Sequence, residues 1–270
     1  MGSSHAHPET AQVVSDQRQG QHEHASSKQQ QGWHDPLHAA SNMVASGIDA
    51  VCSKPRLRGV LHAHACWAVL AAGLILIAEA TCKRSRLAAA VYIAAAFFQF
   101  AISGLYHTGK WAPSTHKLLR RLDHSAIYSL IAATYTPFVM LPIARVAGDV
   151  ASRQLLCRIW LGALCGVGKT WLWPRAPKPI SALTYVLLGW SAVPYLPQLL
   201  DAVGAQVVLL VALGGVLYSI GAFVYASHCP DPYPRWFGYH EVFHTLVLLA
   251  SICHFAGVYQ VVVKMSFGFE

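Results

Sequence analysis

Three features of the 270 residues point to an all-α, polytopic membrane protein: scarce charge, long apolar runs, and short polar breaks between them. Charged residues (DEKR) make up 12% of the chain and apolar ones (AVILMFWYC) 54%, with mean hydropathy +0.39. An average soluble domain carries roughly 25% charge, so an ordinary water-soluble globule is excluded. Lys and Arg number 20 against 12 Asp and Glu, a net +8 with His neutral. That surplus suits nucleic acid, anionic lipid, or basic loops that orient a chain in a bilayer, and its placement decides among them.

Residues 1–51 differ in kind from the rest. They carry His5, His7, His22, His24, His34 and His38 among Gln, Ser and Gly, without a long apolar run. Such a segment buries too little apolar area to offset chain entropy, which predicts a disordered polar tail. It lacks the apolar h-region of a signal peptide. Its histidines have no fixed spacing, so a solvated tail is expected rather than a metal site.

Residues 52–270 form the predicted membrane domain. A bilayer-spanning helix needs about 20 mostly apolar residues, and seven such runs are read near 61–80, 87–106, 123–141, 155–172, 180–200, 206–227 and 240–263. The breaks hold what stops helices: Lys83, Arg84 and Arg86, the basic stretch 110–121, Trp173-Pro174-Arg175, Asp201, and Cys229-Pro230-Asp231-Pro232. The seven cysteines include no CxxC pair and most lie in or beside apolar runs, so no disulfide framework is expected.

An odd number of spans places the termini on opposite sides. Ten basic residues from Lys54 to Arg235 then face the N-terminal side and six from Lys83 to Lys264 the other. The positive-inside rule puts the N-terminus in the cytoplasm and Glu270 outside. Basic residues spread in short interfacial clusters argue against nucleic acid as a partner.

Ionisable residues at span ends carry the chemistry. The second span closes on Ser103 and His107, four apart and so on one helix face. The third opens at Arg120-Arg121-Leu122-Asp123-His124, and the seventh at His240-Glu241-Val242-Phe243-His244. His240 and His244 are also four apart, about 6 Å of rise, the spacing with which two imidazoles on one helix grip one metal. All these positions fall at the same membrane surface. Three His with an open fourth position and a nearby carboxylate make a catalytic zinc site, in which the ion lowers the pKa of its water to about 7. Asp123 would hydrogen-bond that water or act as its base, and Ser103 would supply a supporting or substrate-polarising hydroxyl. Taken singly, Asp123 reads first as a helix cap, and it is the combination with the histidines that favours the metal site. His62, His64, His116 and His124 lie near the same surface without a distinguishing spacing and are read as structural. His254, ten residues beyond His244 and about 15 Å deeper, is too far for the same ion.

His240 to His244 also matches the HExxH pattern of zinc proteases, with Glu241 as would-be base. Here the motif runs straight into an apolar span (TLVLLA, 245–250) and lacks a convincing Asp-Gly-type partner in another span.

Several segments together, KPRLRGVLH (54–62), SGLYH (103–107), RRLDHSAIY (120–128), IAATYTPF (131–138) and FGYHEVFH (237–244), resemble the haemolysin III family. That family is a branch of the progestin and adipoQ receptor group, and the resemblance covers roughly residues 52–263. It implies seven membrane helices and an internal zinc on His107, His240 and His244, with Asp123 bound through the zinc water and Ser103 as the motif serine. The adiponectin receptors have a neutral residue at the place of Glu241, so the resemblance implies no need for that carboxylate. It brings three functional readings: a zinc hydrolase of amide or ester bonds in membrane lipids, ceramide-like ones among them; a receptor or membrane-homeostasis protein with structural zinc; and a pore-forming haemolysin, which the shortage of charge along the spans disfavours.

Overall fold

A computed structural model describes residues 54–265. The polar tail expected over residues 1–51 lies outside the described residues. Among the described residues the long elements are all helical: α1 (Val60–Glu79), α2 (Lys83–Thr108), α3 (Pro113–Phe138), a π-helical turn (Val139–Ile143), α4 (Ala144–Leu172), α5 (Lys178–Gly189), a 3-10 stretch (Trp190–Tyr195), α6 (Leu196–Val203), α7 (Ala205–Ser227) and α8 (Tyr239–Met265). One bridge, Tyr233 to Phe237, is the extended pairing among them.

Six helical segments are long and apolar enough to cross a bilayer. The third, Pro113–Leu172, is 60 residues long, about 90 Å if straight and so three times the hydrocarbon thickness. It folds back instead. Gly148 takes φ 85°, ψ 162°, which a side chain would strain, and the helix axis breaks there. The arms on either side lie antiparallel: Ser152 Oγ donates to the Val139 carbonyl at 2.8 Å, Trp160 Nε1 to Thr136 Oγ1 at 3.3 Å, and Trp171 Nε1 to Ser125 Oγ at 3.2 Å. Six candidate segments thus stand where seven passes were expected, and the longest of them folds back on itself.

Two expected boundaries move. The third span was expected to open at Asp123, but α3 starts at Pro113, a residue suited to the first helical position because its missing N–H would be unpaired there anyway. The basic residues Lys117, Arg120 and Arg121 hide this extra helix from a hydropathy count. Asp123 is therefore buried in the third turn and caps nothing. The single helix expected over 180–200 is broken into α5, the 3-10 stretch and α6, because Pro194 and Pro197 each remove a backbone donor.

The side chains are distributed inside out relative to a soluble protein. Leu74, Ile75, Leu209 and Phe223 are 61%, 59%, 68% and 69% exposed, while Gln99, Ser103, Thr136 and Glu241 are buried. An apolar surface round a polar interior is what a lipid solvent selects.

Close contact between α1 and α2 sets the geometry of the site below. Gly59, at φ 80°, lies so close to His107 that a Cβ there would come within 2.4 Å of the histidine Cβ. At Gly104 a Cβ would meet the Ala63 backbone at 2.7 and 2.8 Å, so only glycine lets the helices touch. Gly104→Ala should lower stability by about 1–3 kcal/mol through this overpacking. Gly168→Ala, in a helix with nothing within 4 Å, should instead be neutral or stabilise by about 0.5–1 kcal/mol. Thermal melts of the detergent-solubilised variants check the opposite signs.

Candidate metal centre

Local structure explains how the start of α8 is held. Gly238, which precedes the helix, and Tyr239, its first residue, have N–H groups that need partners outside the helix. Glu241 Oε2 accepts from Gly238 N at 2.9 Å, half of a capping box, and Asp231 Oδ1 accepts from Tyr239 N at 2.8 Å. The other oxygen of Glu241, Oε1, is ion-paired with Arg58 just before α1. The backbone continues this joint, with Arg56 N donating to Arg235 O at 3.1 Å and Leu57 N to Trp236 O at 3.2 Å. The polar start of α1 is thus stitched to the loop leading into α8.

Glu241 is consequently spent. Both carboxylate oxygens are occupied away from the histidines, and the side chain is almost fully buried. The carboxylate of the HExxH pattern is a structural clamp here.

His107, in the last turn of α2, meets His240 and His244 from the first two turns of α8, and one ring nitrogen from each lies within 4.8 Å of the other two. His240 Nε2 and His107 Nε2 are 3.2 Å apart. Two nitrogens on one tetrahedral zinc, each at about 2.05 Å, are separated by about 3.3 Å. The donor set and its spacing therefore fit a divalent ion of that class. Asp123 Oδ2 lies 3.6 Å from His107 Nε2, so α3 contributes the one carboxylate at this point.

Ser103 sits one turn before His107, but its hydroxyl is turned to His62 Nδ1 at 2.9 Å. His62 was read from sequence as structural, and its placement says more. It is buried, its ring is stacked on His244 with centroids 3.9 Å apart and planes 8° from parallel, and its Nε2 lies 3.4 Å from the His244 carbonyl. Ser103 and His62 thus form a support under His244. Spacing could not reveal this, since it depends on α1 and α8 becoming neighbours. The available signal was an ionisable ring inside an apolar helix, which is costly without a purpose. His116 and His124 line the cavity described next, whereas His64 is exposed. His254 lies deep, with its Nε2 3.1 Å from the Val211 carbonyl and apart from the triad, as its position ten residues on requires.

The histidines open onto a cavity of about 560 Å³. Lys54, Arg58, Arg120 and Lys178 line it at a mouth where Lys54 and Arg120 reach the surface, the site residues line it as well, and Leu130, Phe138, Leu199 and Val211 are among its apolar walls. Lys54, which precedes the first span, is held below the ordinary lysine pKa by burial and then by the positive charge of Arg58, with Glu241 opposing.

Glu241→Gln should cost about 2 kcal/mol of stability, because it leaves the mostly buried Arg58 without its counter-charge. Metal uptake measured by elemental analysis should stay intact. A loss of metal at unchanged stability would mean that Glu241 belongs to the ion and not to the clamp.

With this geometry in place, the relatives can be compared. The haemolysin-III related family profile matches residues 50–255. Hemolysin-3 of Bacillus cereus is 31% identical over 185 residues, which span 68% of this chain and 76% of that protein. The hemolysin-3 homolog of Bacillus subtilis (strain 168) is 32% identical over 157 residues, 57% of this chain and 69% of the relative. A shorter likeness, 35% over 109 residues covering 35% of this chain and 34% of the relative, joins it to the ADIPOR-like receptor IZH2 of Saccharomyces cerevisiae (strain ATCC 204508 / S288c). Six bilayer-length helical segments, a three-histidine group where α2 meets α8, and a profile match over most of the chain agree: the chain belongs to the haemolysin III family, within the progestin and adipoQ receptor group.

Proposed function

We propose that this protein is a zinc-dependent hydrolase of an amide or ester bond in a membrane lipid. One observation carries the reading: the three converging histidines, with a carboxylate beside them, open onto a single cavity whose deeper walls are apolar. A volume of about 560 Å³ is in the range of ligand pockets, roughly 300–1,000 Å³. Ceramide-like lipids belong to this substrate class.

His107, His240 and His244 would hold the ion, and His62 with Ser103 would keep His244 in its rotamer. When bound, zinc would supply Lewis-acid polarisation of a carbonyl and a water acidic enough to react near neutral pH. The chain does the rest. The acyl tail lies along Leu130, Phe138, Leu199 and Val211, which sets the carbonyl at the depth of the triad. Asp123 takes a proton from the attacking water and returns it to the leaving amine or alcohol. A C–O bond forms at the acyl carbon as the C–N or C–O bond to the leaving group breaks, giving a fatty acid.

A second reading, structural metal in a receptor, is favoured by one observation: the ligands come from α2 and α8 and would tie those helices together. The same measurements separate the two. For the hydrolase, purified protein should hold one zinc per chain and release fatty acid from a panel of ceramides and lysolipids. His240→Ala and His244→Ala should lose both metal and turnover. Asp123→Asn should keep the metal while turnover falls by about 10²–10⁴-fold. Chelation should also lower the melting temperature by roughly 5–10 °C, since a bound ion stabilises only the folded state. Metal at full occupancy with that stability effect, but no fatty acid from any lipid tested, would leave the structural reading in its place.

A further inference from the structure

We infer that the mouth of the cavity is an anion site, formed by Lys178, Arg120 and Lys54, that selects lipids bearing a phosphate headgroup. As a statement of substrate class this rests on the hydrolase reading, although the binding it describes does not.

The argument begins with charge. Four cationic side chains, Lys54, Arg58, Arg120 and Lys178, line the mouth, and Asp123 is the one carboxylate in the cavity wall. Arg58 is neutralised by Glu241, and Asp123 faces His107. Lys54, Arg120 and Lys178 make no ion-pair contact with a carboxylate among the described residues.

Lys178 is held all the same, by neutral groups. Its Nζ donates to Tyr239 OH at 3.0 Å and lies 2.7 Å from His228 Nε2. It also lies 5.0 and 5.1 Å from the ring centroids of Tyr225 and Tyr239. Hydroxyl, imidazole and aromatic faces fix the ammonium in place without cancelling its charge. An ion pair would have oriented it just as well, so the charge itself is left available at the opening. The crowding is visible at Lys54, whose proton is held less tightly because of burial and the neighbouring Arg58.

Membrane orientation does not account for this placement. The positive-inside effect requires basic residues near the surface, and Lys117 or Arg175 satisfy it without lining the cavity. Charges gathered round an opening act on what enters it, because low-dielectric walls focus their field. A phosphate matches the set, since the Arg120 guanidinium can donate to two of its oxygens in parallel and the ammonium groups to a third. The apolar walls beneath commit the occupant to a phosphate that carries an acyl chain.

The test uses the zinc-loaded full-length protein in neutral detergent, with displacement of a fluorescent lysolipid as readout. Oleoyl lysophosphatidate, monooleoylglycerol and inorganic phosphate are the competitors. Lysophosphatidate should bind at least about tenfold more tightly than monooleoylglycerol, the difference expected of one or two charge-assisted contacts. Lys178→Gln and Arg120→Gln should each remove most of that preference, and Lys117→Gln, which takes the same charge from the same surface, should leave it. Arg120 is exposed, so its variant carries the test if Lys178→Gln disturbs the start of α5. Equal binding of the two lipids overturns the inference, as does a loss in Lys117→Gln equal to that in Lys178→Gln. Full displacement by millimolar inorganic phosphate would reassign the site to the free ion. Headgroup preference without turnover of any lipid would end the hydrolase reading and leave this site standing. Turnover of neutral amides without headgroup preference would do the reverse.

Discussion

Hydrocarbon offers no partner to a backbone amide, and most of this architecture follows from that constraint. Every N–H and C=O within the bilayer must be satisfied inside the chain, so the apolar runs become helices. Polar side chains then have one economical place to go, which is between those helices. Ser103, Gln99, Thr136 and the triad histidines are accordingly buried while Leu74, Leu209 and Phe223 look outward. A soluble protein concentrates chemistry in a surface cleft; a bundle in lipid concentrates it in the interior, where the cavity lies.

Close helix approach turns that interior polarity into a site. Lipid provides little hydrophobic drive for helices to associate, so contact depends on small residues and polar bonds. Gly59 and Gly104 bring α1 against α2 beside His107, and the Arg58 to Glu241 pair ties α1 to the start of α8. Between these two contacts His62 is placed flat on His244 with Ser103 behind it. The histidine group is therefore held in part by α1, which contributes no ligand of its own. The same joint accounts for the HExxH likeness: the carboxylate faces Arg58 and the Gly238 amide because helix ends need caps and buried arginines need counter-charges.

Departures from the expected helices have covalent causes. Pro194 and Pro197 break the fifth pass because each removes a donor, and Gly148 lets a 60-residue segment double back. The early start of α3 has a different origin: a helix can leave the hydrocarbon and continue among basic residues, so hydropathy marks where the apolar part begins and not where the helix does. Asp123 moves from a cap to a buried turn for that reason.

From the sequence alone came the all-α membrane class, the runs that cross, and the nomination of His107, His240, His244, Asp123 and Ser103. Those follow from composition, a 20-residue length scale and a four-residue period, which are properties of single helices in a known solvent. Tertiary structure decided that Asp123 lies 3.6 Å from His107, that Ser103 serves His62, that Glu241 is a clamp, and that four cations line one cavity with the histidines. Each of these depends on which helices become neighbours and how closely they approach. A sequence period places residues on a face, but it carries no record of what packs against that face.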